Sequence, residues 1–344
     1  MEISPVIEAL IKIIVVIFFI LLPCVAYLGV QLERKLSAWI QNRVGPNRVG
    51  PYGLLQPLAD IPKLFFKEDI VPAAANKFVH SLGPLISLTI AFSTFAVMPF
   101  GDTLPIVVNG VVHNISLQIA NVNIGVLYVL ALSSLAVYGI TLSGWSSNNK
   151  YSLLGGIRSS AQMISYELSL GLSIIGIVML SNTLQLNDIV KAQSGYYLFG
   201  FLPNWNIFVQ PIGFITFFVA MFAETNRLPF DLPEAEPELV AGYHTEYTGM
   251  KFGMFMLSEF LAMFAAAGMI TTLYLGGWQA PYIEYLNLSP FVVSLVQVGA
   301  FFTKFALIVV FFMIVRWSMP RFRYDQLMNI GWKVMLPAAL ANLI

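Results

Sequence analysis

Residues 291–315 read FVVSLVQVGAFFTKFALIVVFFMIV and carry a single charged side chain, Lys304. A run of about 20 mostly apolar residues is long enough to cross the hydrocarbon core of a bilayer as a helix. In the whole chain of 344 residues, 58% are hydrophobic, 10% are charged and the mean hydropathy is +0.77. Charged residues make up about a quarter of a soluble domain. The sequence therefore predicts an all-α, polytopic membrane protein.

Seven further segments share this apolar character, so eight spanning helices are predicted in one integral membrane domain, residues 1–344. The predicted spans are 6–30, 78–99, 121–142, 158–181, 207–224, 254–276, 291–315 and 327–343. The first span is too long for a signal peptide and lacks a small-residue cleavage site, so it is expected to be retained as a helix.

Positive side chains are distributed unevenly between the loops that join these spans. The odd-numbered loops hold fourteen Lys and Arg residues, and the even-numbered loops hold Lys191 alone. Positively charged loops stay on the cytoplasmic or matrix side of a membrane. We therefore expect the odd-numbered loops on that side and both termini on the periplasmic or intermembrane side.

Charge and cysteine content exclude several classes of function. Eighteen Lys and Arg residues balance eighteen Asp and Glu residues, so no basic face for nucleic acid is predicted. Cys24 is the single cysteine, and His80, His113 and His244 are far apart in sequence, which argues against a metal, haem or iron–sulfur site held by this chain alone. There is also no Gly-x-Gly-x-x-Gly motif for a dinucleotide.

The first loop contains an amphipathic segment near residues 54–67. Gln56, Asp60 and Lys63 are spaced by four and three residues and share one helical face, while apolar residues line another. This pattern is typical of a helix that lies in the membrane interface. Its polar face, with Arg34 nearby, is either a solvated surface above a membrane anchor or the mouth of a cavity for an amphipathic ligand. Periodicity leaves both alternatives open.

The fifth loop, residues 224–251, is strongly acidic. Its acids are Glu224, Asp231, Glu234, Glu236, Glu238 and Glu246. A solvated acidic loop is the simplest interpretation of such a run. Three prolines and several apolar residues alternate with the acids, however, so the loop is expected to fold against another part of the protein.

Two further acids, Glu167 and Glu259, lie inside predicted spans, roughly 13 and 8 Å from their cytoplasmic ends at 1.5 Å per residue. An intramembrane carboxylate usually faces a protein interior or a water-filled path. Crowded carboxylates cannot all ionise, so this group is predicted to titrate as a coupled set that stores protons. Lys304 is expected either to pair with one of these acids or to serve a proton path.

Three long strings of sequence resemble a known family. They are GPNRVGPYGLLQPLADIPK at residues 45–63, which follows Glu33-Arg34-Lys35, AETNRLPFDLPEAEPELVAGYHTEY at residues 223–247, and PRFRYDQLM at residues 320–328. They resemble the family of respiratory complex I proteins known as the H subunit or NADH dehydrogenase subunit 1, and the resemblance covers essentially the whole chain. One mild departure is Phe260, where relatives often have Tyr after the acid.

The resemblance implies a membrane subunit at the joint between the membrane and peripheral arms of a proton-translocating NADH:quinone oxidoreductase, in the translocase class. Residues matching Arg34, Asp60, Lys63 and Arg227 would line or guard the chamber for the substrate quinone, ubiquinone or menaquinone. The acids implied to couple quinone chemistry to proton pumping are Glu167, Glu224, Asp231, Glu234, Glu236, Glu238, Glu246 and Glu259. Lys304 joins this set because its charge lies inside a span. No residue is expected to perform bond chemistry directly.

The resemblance also implies partners. Flavin, iron–sulfur clusters and the NADH site would belong to other subunits, including peripheral-arm quinone-module subunits that carry the terminal iron–sulfur cluster, and other membrane-arm subunits. The chain would lie in the lipid bilayer of an energy-transducing membrane, a bacterial plasma (inner) membrane in preference to a mitochondrial inner membrane. Two alternatives are a homologous subunit of a membrane-bound hydrogenase or plastoquinone-linked complex, and a stand-alone proton or cation transporter.

Overall fold

The computed structural model describes residues 5–108, 111–197, 202–232, 239–283 and 289–344. In chain order the helices are α1 (Val6–Ile40), α2 (Gln56–Phe66), α3 (Lys77–Val97), α4 (Gly125–Ser146), α5 (Lys150–Ser181), α6 (Leu186–Ala192), α7 (Asn206–Val209), α8 (Pro211–Glu224), α9 (Gly249–Tyr274), α10 (Pro290–Ser318) and α11 (324–341). Two antiparallel hairpins pair β1 (Thr103–Val108) with β2 (Val111–Ser116), and β3 (Tyr196–Tyr197) with β4 (Leu202–Pro203).

Within the described residues, six helices are long and apolar enough to cross a membrane: α1, α3, α4, α5, α9 and α10. Helix α8 is apolar but has 14 residues, about 21 Å, which is shorter than the roughly 30 Å hydrocarbon core. Helix α11 joins two α-helical segments through a π-helical stretch. These elements confirm the all-α, polytopic fold class, and the chain is an integral membrane protein.

Several helices extend beyond the apolar runs that predicted them. Helix α1 continues to Ile40 rather than ending near residue 30, α5 begins at Lys150 rather than 158, and α9 begins at Gly249 rather than 254. A cap explains the early start of α5, because the Asn149 side chain accepts a 2.9 Å hydrogen bond from the backbone N–H of Tyr151.

These longer helices change the positions of three charged groups. Arg158 lies inside α5 and not at its start, so Glu167 is about 26 Å along the helix from Lys150. Glu259 is about 15 Å along α9 from Gly249. At 32 residues, α5 is about 48 Å long and must project beyond the hydrocarbon core.

Helix α9 lies at the centre of the bundle. It packs against α3, α8 and α10, and its second half is buried almost without interruption from Leu261 to Tyr274. Aromatic rings fill the space between α8 and α10, where Phe222 and Phe312 stack with their ring centroids 3.9 Å apart. The close packing fixes the position of the polar side chains that α9 carries.

Helix α2 contacts α1 and α9 at the side of this bundle. Its apolar side chains Leu58, Phe65 and Phe66 are more than half exposed, with Phe66 at 90%. Exposed apolar side chains on a helix with a charged opposite face fit a position in the membrane interface. The helix continues across Pro62.

Candidate functional site

The polar face of α2 forms a cluster around Asp60. The Asp60 carboxylate receives hydrogen bonds from Arg34 Nη1 at 2.5 Å, Gln56 Nε2 at 3.0 Å and Lys63 Nζ at 3.2 Å. Partial desolvation opposes ionisation of Asp60, but these three donors outweigh it and lower the pKa of the carboxyl. The structure therefore brings together Arg34, Asp60 and Lys63, which the sequence grouped.

A tight turn positions this cluster against α1. Gly53 has φ +76°, in the left-handed region that favours glycine. A Cβ atom there would collide with the carbonyl of Pro46. The Gly53 carbonyl accepts a 2.9 Å hydrogen bond from Gln31 Nε2 on α1. The Gly-Pro turns therefore fasten the start of α2 to α1.

A second cluster is a buried network of two arginines and two glutamates. Arg227, which is 1% exposed, lies 3.3 Å from Glu33 Oε2 and 3.0 Å from Glu259 Oε1. Arg316 lies 2.6 Å from Glu33 Oε1 and 3.9 Å from Glu259 Oε1. The guanidinium carbon of Arg227 is 4.7 Å from the ring centroid of Phe260. Two positive and two negative groups thus balance each other inside the protein, as buried charges require.

The third cluster is a cavity of about 110 Å³ between α3, α4, α8 and α9. Glu224 and Glu259 line it together with the hydroxyl groups of Ser87, Thr94 and Ser133. A cavity of this size has room for several water molecules beside these polar groups. It therefore leaves space for water next to two carboxylates, although most of its wall is apolar.

Glu167 adjoins the cavity from α5. Its carboxylate accepts a hydrogen bond from Ser134, and it lies close enough to Glu224 for the two charges to repel. Ser133 is a hydrogen-bonding neighbour of Glu224. Adjacent serines of α4 therefore hold two acids of two different helices in one group.

Two acids of the fifth loop have separate partners. Asp231 lies 2.8 Å from Arg321 Nη2. Burial raises the pKa of Asp231 to about 6 although the Arg321 charge opposes this shift. Glu246 accepts a 2.7 Å hydrogen bond from Asn149 Nδ2 at the α4–α5 turn. Both contacts hold the fifth loop against the bundle, as its interleaved apolar residues predicted.

Lys304, a further predicted site residue, lies away from these three clusters. Lys304 contacts backbone carbonyls near the C-terminal end of α9, and no carboxylate of the described residues lies within ion-pair distance of its ammonium group. Glu234, Glu236 and Glu238 lie outside the described residues.

Sequence reasoning missed several residues of the site. Glu33, Arg316 and Arg321 supply the partners of Arg227 and Asp231. Glu33 could have been noticed because it lies beside the first of the strings that resemble the family. No sequence pattern indicates that Arg316 pairs with Glu33, since the two residues are 283 positions apart.

Adjacent residues connect the first two clusters, and one shared residue connects the second with the third. Arg34 contacts Asp60 while its neighbour Glu33 contacts Arg227 and Arg316. Glu259 belongs to the ion network and also lines the cavity. Charged groups thus follow one another from the polar face of α2 to the acids of the cavity.

Comparison with known proteins identifies the family to which the chain is similar. A family model described as NADH dehydrogenase matches residues 11–344. The chain is 50% identical over 332 residues to the first of the numbered H subunits of NADH-quinone oxidoreductase in Cytophaga hutchinsonii, covering 96% of this chain and 94% of the relative. It is 51% identical to NADH-quinone oxidoreductase subunit 8 of Rhodothermus marinus, covering 92% and 89%. It is also 51% identical to the second numbered H subunit of the same enzyme in Geobacter sulfurreducens, covering 96% and 93%.

Proposed function

Because this chain belongs to the NADH dehydrogenase family, we propose that it is a membrane subunit of NADH:quinone oxidoreductase, respiratory complex I. In this proposal it helps form the quinone chamber at the junction with the peripheral arm. It also couples reduction of quinone to proton translocation. The single observation that carries the proposal is the series of charged groups that begins at the polar face of α2, passes from Arg34 to its chain neighbour Glu33, and continues through Arg227 to the cavity lined by Glu259 and Glu224.

The quinone end of this series is the Asp60 cluster. Quinones have an apolar tail and a polar head, and α2 offers exposed apolar side chains beside Arg34, Asp60 and Lys63. Arg34 uses one of its five N–H donors on Asp60 and Lys63 one of its three, so both keep donors for a quinone carbonyl, and a bound carbonyl would compete with Asp60 for their positive charge. Ligand binding here would therefore change the electrostatics of the first cluster.

The ion network is the next step. Arg227 and Arg316 each lie within ion-pair distance of both Glu33 and Glu259, so the network allows alternative pairings. A shift of either arginine toward Glu33 would leave Glu259 with less positive charge nearby. Loss of a positive neighbour favours proton binding by a carboxylate in general, and Glu259 lines the cavity.

The proton end comprises Glu224 and Glu167, with Asp231 and Glu246 where the fifth loop packs against the bundle. Mutual repulsion between Glu224 and Glu167 means that protonation of one favours ionisation of the other. Glu234, Glu236 and Glu238 belong to this set in the proposal because of the family resemblance. The coupled titration would convert a change at Arg227 into movement of protons.

The chain acts in this proposal as part of a complex. Electrons reach quinone from a terminal iron–sulfur cluster of a peripheral-arm partner, flavin lies in another partner, and further membrane-arm subunits continue the proton path. The relatives described above are bacterial, which supports a bacterial inner membrane. The excess of Lys and Arg in the odd-numbered loops supports a cytoplasmic position for the fifth loop. Their names favour a NADH-linked enzyme over a hydrogenase-type or plastoquinone-linked one.

The test uses the purified complex reconstituted in liposomes. We expect Asp60→Asn to raise the quinone KM about tenfold because the first cluster loses its anion. The control is Asp69→Asn, because Asp69 lies in the same loop as Asp60 but pairs with Lys251 of α9 at 2.9 Å. We expect Glu259→Gln to lower the number of protons moved per electron, with Glu8→Gln, a surface partner of Lys12, as control. Wild-type KM and proton ratio in both site variants would refute the proposal. Proton transport by the chain alone in liposomes would favour a free-standing transporter.

A further inference from the structure

The C-terminal end of α9 is buried although its last carbonyls lack intrahelical partners. Every helix leaves four such carbonyl groups, and inside a membrane water cannot satisfy them. Other elements supply donors here. Gln193 Nε2 donates to the Thr272 carbonyl at 2.9 Å, and Asn206 Nδ2 donates to the Leu273 carbonyl at 2.7 Å.

Lys304 of α10 donates to carbonyls of the turn that directly follows α9. Its Nζ atom lies 2.7 Å from the carbonyl oxygen of Leu275, 3.0 Å from that of Gly277 and 2.7 Å from that of Gln279. The ring centroid of Trp205 is 4.2 Å from the same atom. The ammonium group is therefore surrounded by three acceptors and one aromatic face.

The turn after α9 directs these three carbonyls toward Lys304 Nζ. Gly276 and Gly277 have φ +69° and +50°, a left-handed conformation that glycine adopts without strain. A Cβ atom at Gly277 would lie 2.6 Å from Val190 Cγ2, so a larger residue does not fit. The chain therefore folds back and presents alternate carbonyls to Lys304.

The arrangement matches an ammonium ion and not a neutral amine. An ammonium group has three N–H donors and no acceptor, one for each carbonyl. A neutral amine would have two donors and would turn a lone pair toward the third carbonyl. The negative end of the α9 dipole also favours a cation at this position.

We propose that Lys304 is a positioning residue whose ammonium ion fills a carbonyl-lined site for a monovalent cation and fixes the end of α9 against α10. Glu259 lies on the same helix, 16 residues before Leu275 and hence about 24 Å away. Holding one end of a rigid, packed helix preserves the register of Glu259 against Arg227. This last step rests on the proposed function, whereas the cation site does not.

A second cavity adjoins the site and offers access to it. It measures about 260 Å³ and is lined by Trp205 and Gln279, which also surround Lys304, and by Gln297 and Lys191. Gln297 is two helical turns before Lys304 on α10. A small cation could therefore reach the carbonyls once the lysine side chain is removed.

The experiment replaces Lys304 in the complete purified complex and adds small amines. We expect Lys304→Met to lower quinone reductase turnover by about tenfold to a hundredfold, since small misplacements have effects of that order. Methylammonium, which fits among the carbonyls, should restore at least half of the loss and raise the unfolding temperature of the variant. Tetramethylammonium, which has the same charge but no N–H donor, should do neither. Lys12→Met, another lysine within a spanning helix, is the control and should respond to neither amine.

Lys304→Arg distinguishes positioning from proton transfer. Arginine remains charged at all working pH values, so it can hold the carbonyls but cannot release a proton. We expect this variant to keep the wild-type number of protons per electron, at reduced turnover. Loss of pumping with continued electron transfer would make Lys304 a proton carrier and overturn the proposal.

A second uncharged variant keeps the proposal testable. If Lys304→Met fails to assemble, Lys304→Gln, with two N–H donors and no charge, takes its place under the same amine additions. Wild-type turnover and stability in either uncharged variant, without a response to methylammonium, would overturn the cation site. An amine-dependent gain in stability, together with a wild-type quinone KM in Asp60→Asn and a wild-type proton ratio in Glu259→Gln, would support the cation site and refute only the proposed function.

Discussion

Removing Arg227 should have a large effect because it leaves two buried carboxylates with one positive partner. The Arg227 side chain is 1% exposed and contacts Glu33 at 3.3 Å and Glu259 at 3.0 Å. Breaking a buried ion pair by removing one partner costs about 3–5 kcal/mol. Arg316 remains but is 28% exposed and lies 3.9 Å from Glu259, so it compensates only in part. We therefore expect Arg227→Met to lower the free energy of unfolding by about 3 kcal/mol or more.

A double-mutant cycle isolates the ionic part of this effect. In Arg227→Met/Glu259→Gln the network again has one positive and one negative group. We expect the double variant to recover part of the loss and the coupling energy between the two sites to be about 2 kcal/mol. The assay is titration of the protein with dodecyl sulfate in mixed micelles, followed by loss of helical circular dichroism.

The surface pair of Arg323 and Asp325 provides the matched control. Their side chains are 74% and 66% exposed and 3.7 Å apart, and such pairs contribute about 0–1 kcal/mol. Additivity within about 0.5 kcal/mol for Arg227 and Glu259, as expected for the surface pair, would refute the argument that the network is a single charge-balanced unit.

Three other predictions concern the fifth loop and the turn before α2. Burial raises the pKa of Asp231 to about 6, above its ordinary value, so the folded state binds this proton more tightly than the unfolded state does. The stability of the protein should therefore fall as pH rises from about 4 to 6. In unfolding measurements over this pH range, Asp231→Asn should remove the slope. Gly53→Ala should destabilise the protein by about 1–3 kcal/mol because of its positive φ and the Pro46 carbonyl, whereas Gly171→Ala, with open space around its Cβ position, should be neutral or stabilising in thermal unfolding. Gln162→Leu removes the side-chain donor of the Phe230 carbonyl and one of the donors of the Ala223 carbonyl, which also accepts from the Asn226 N–H. It should cost about 1–3 kcal/mol in total, and unchanged stability in denaturant titration would contradict that role.

The apolar runs were sufficient to predict the all-α membrane fold, because a bilayer requires long apolar helices and little else. The apolar runs could not predict the extensions of α1, α5 and α9, because charged residues interrupt the apolar character there while the helix continues. The hairpin of β1 and β2 was also missed. Its twelve residues lie in a loop, where no hydrophobic period identifies a strand as clearly as 20 apolar residues identify a span.

The candidate site was predictable only where its residues lie close together in the sequence. Gln56, Asp60 and Lys63 are close in sequence and on one helical face, so periodicity was enough to group them. The contact of Arg227 with Glu33 joins positions 194 residues apart and depends on tertiary packing. The partners of Lys304 are backbone carbonyls, which every residue possesses, and no pattern of side chains can reveal them.

Consecutive residues of α1 point about 100° apart, and this divides Glu33 and Arg34 between two clusters. Because both are attached to one stiff backbone, a rotation or axial sliding of α1 that lengthens the Arg34–Asp60 contact must also change the spacing of Glu33 from Arg227 and Arg316. A single movement of α1 consequently changes the Asp60 cluster and the ion network together. The π-helical stretch Val25–Gln31 lies directly before these residues, and a π-turn is a place where a helix can change its register by one residue.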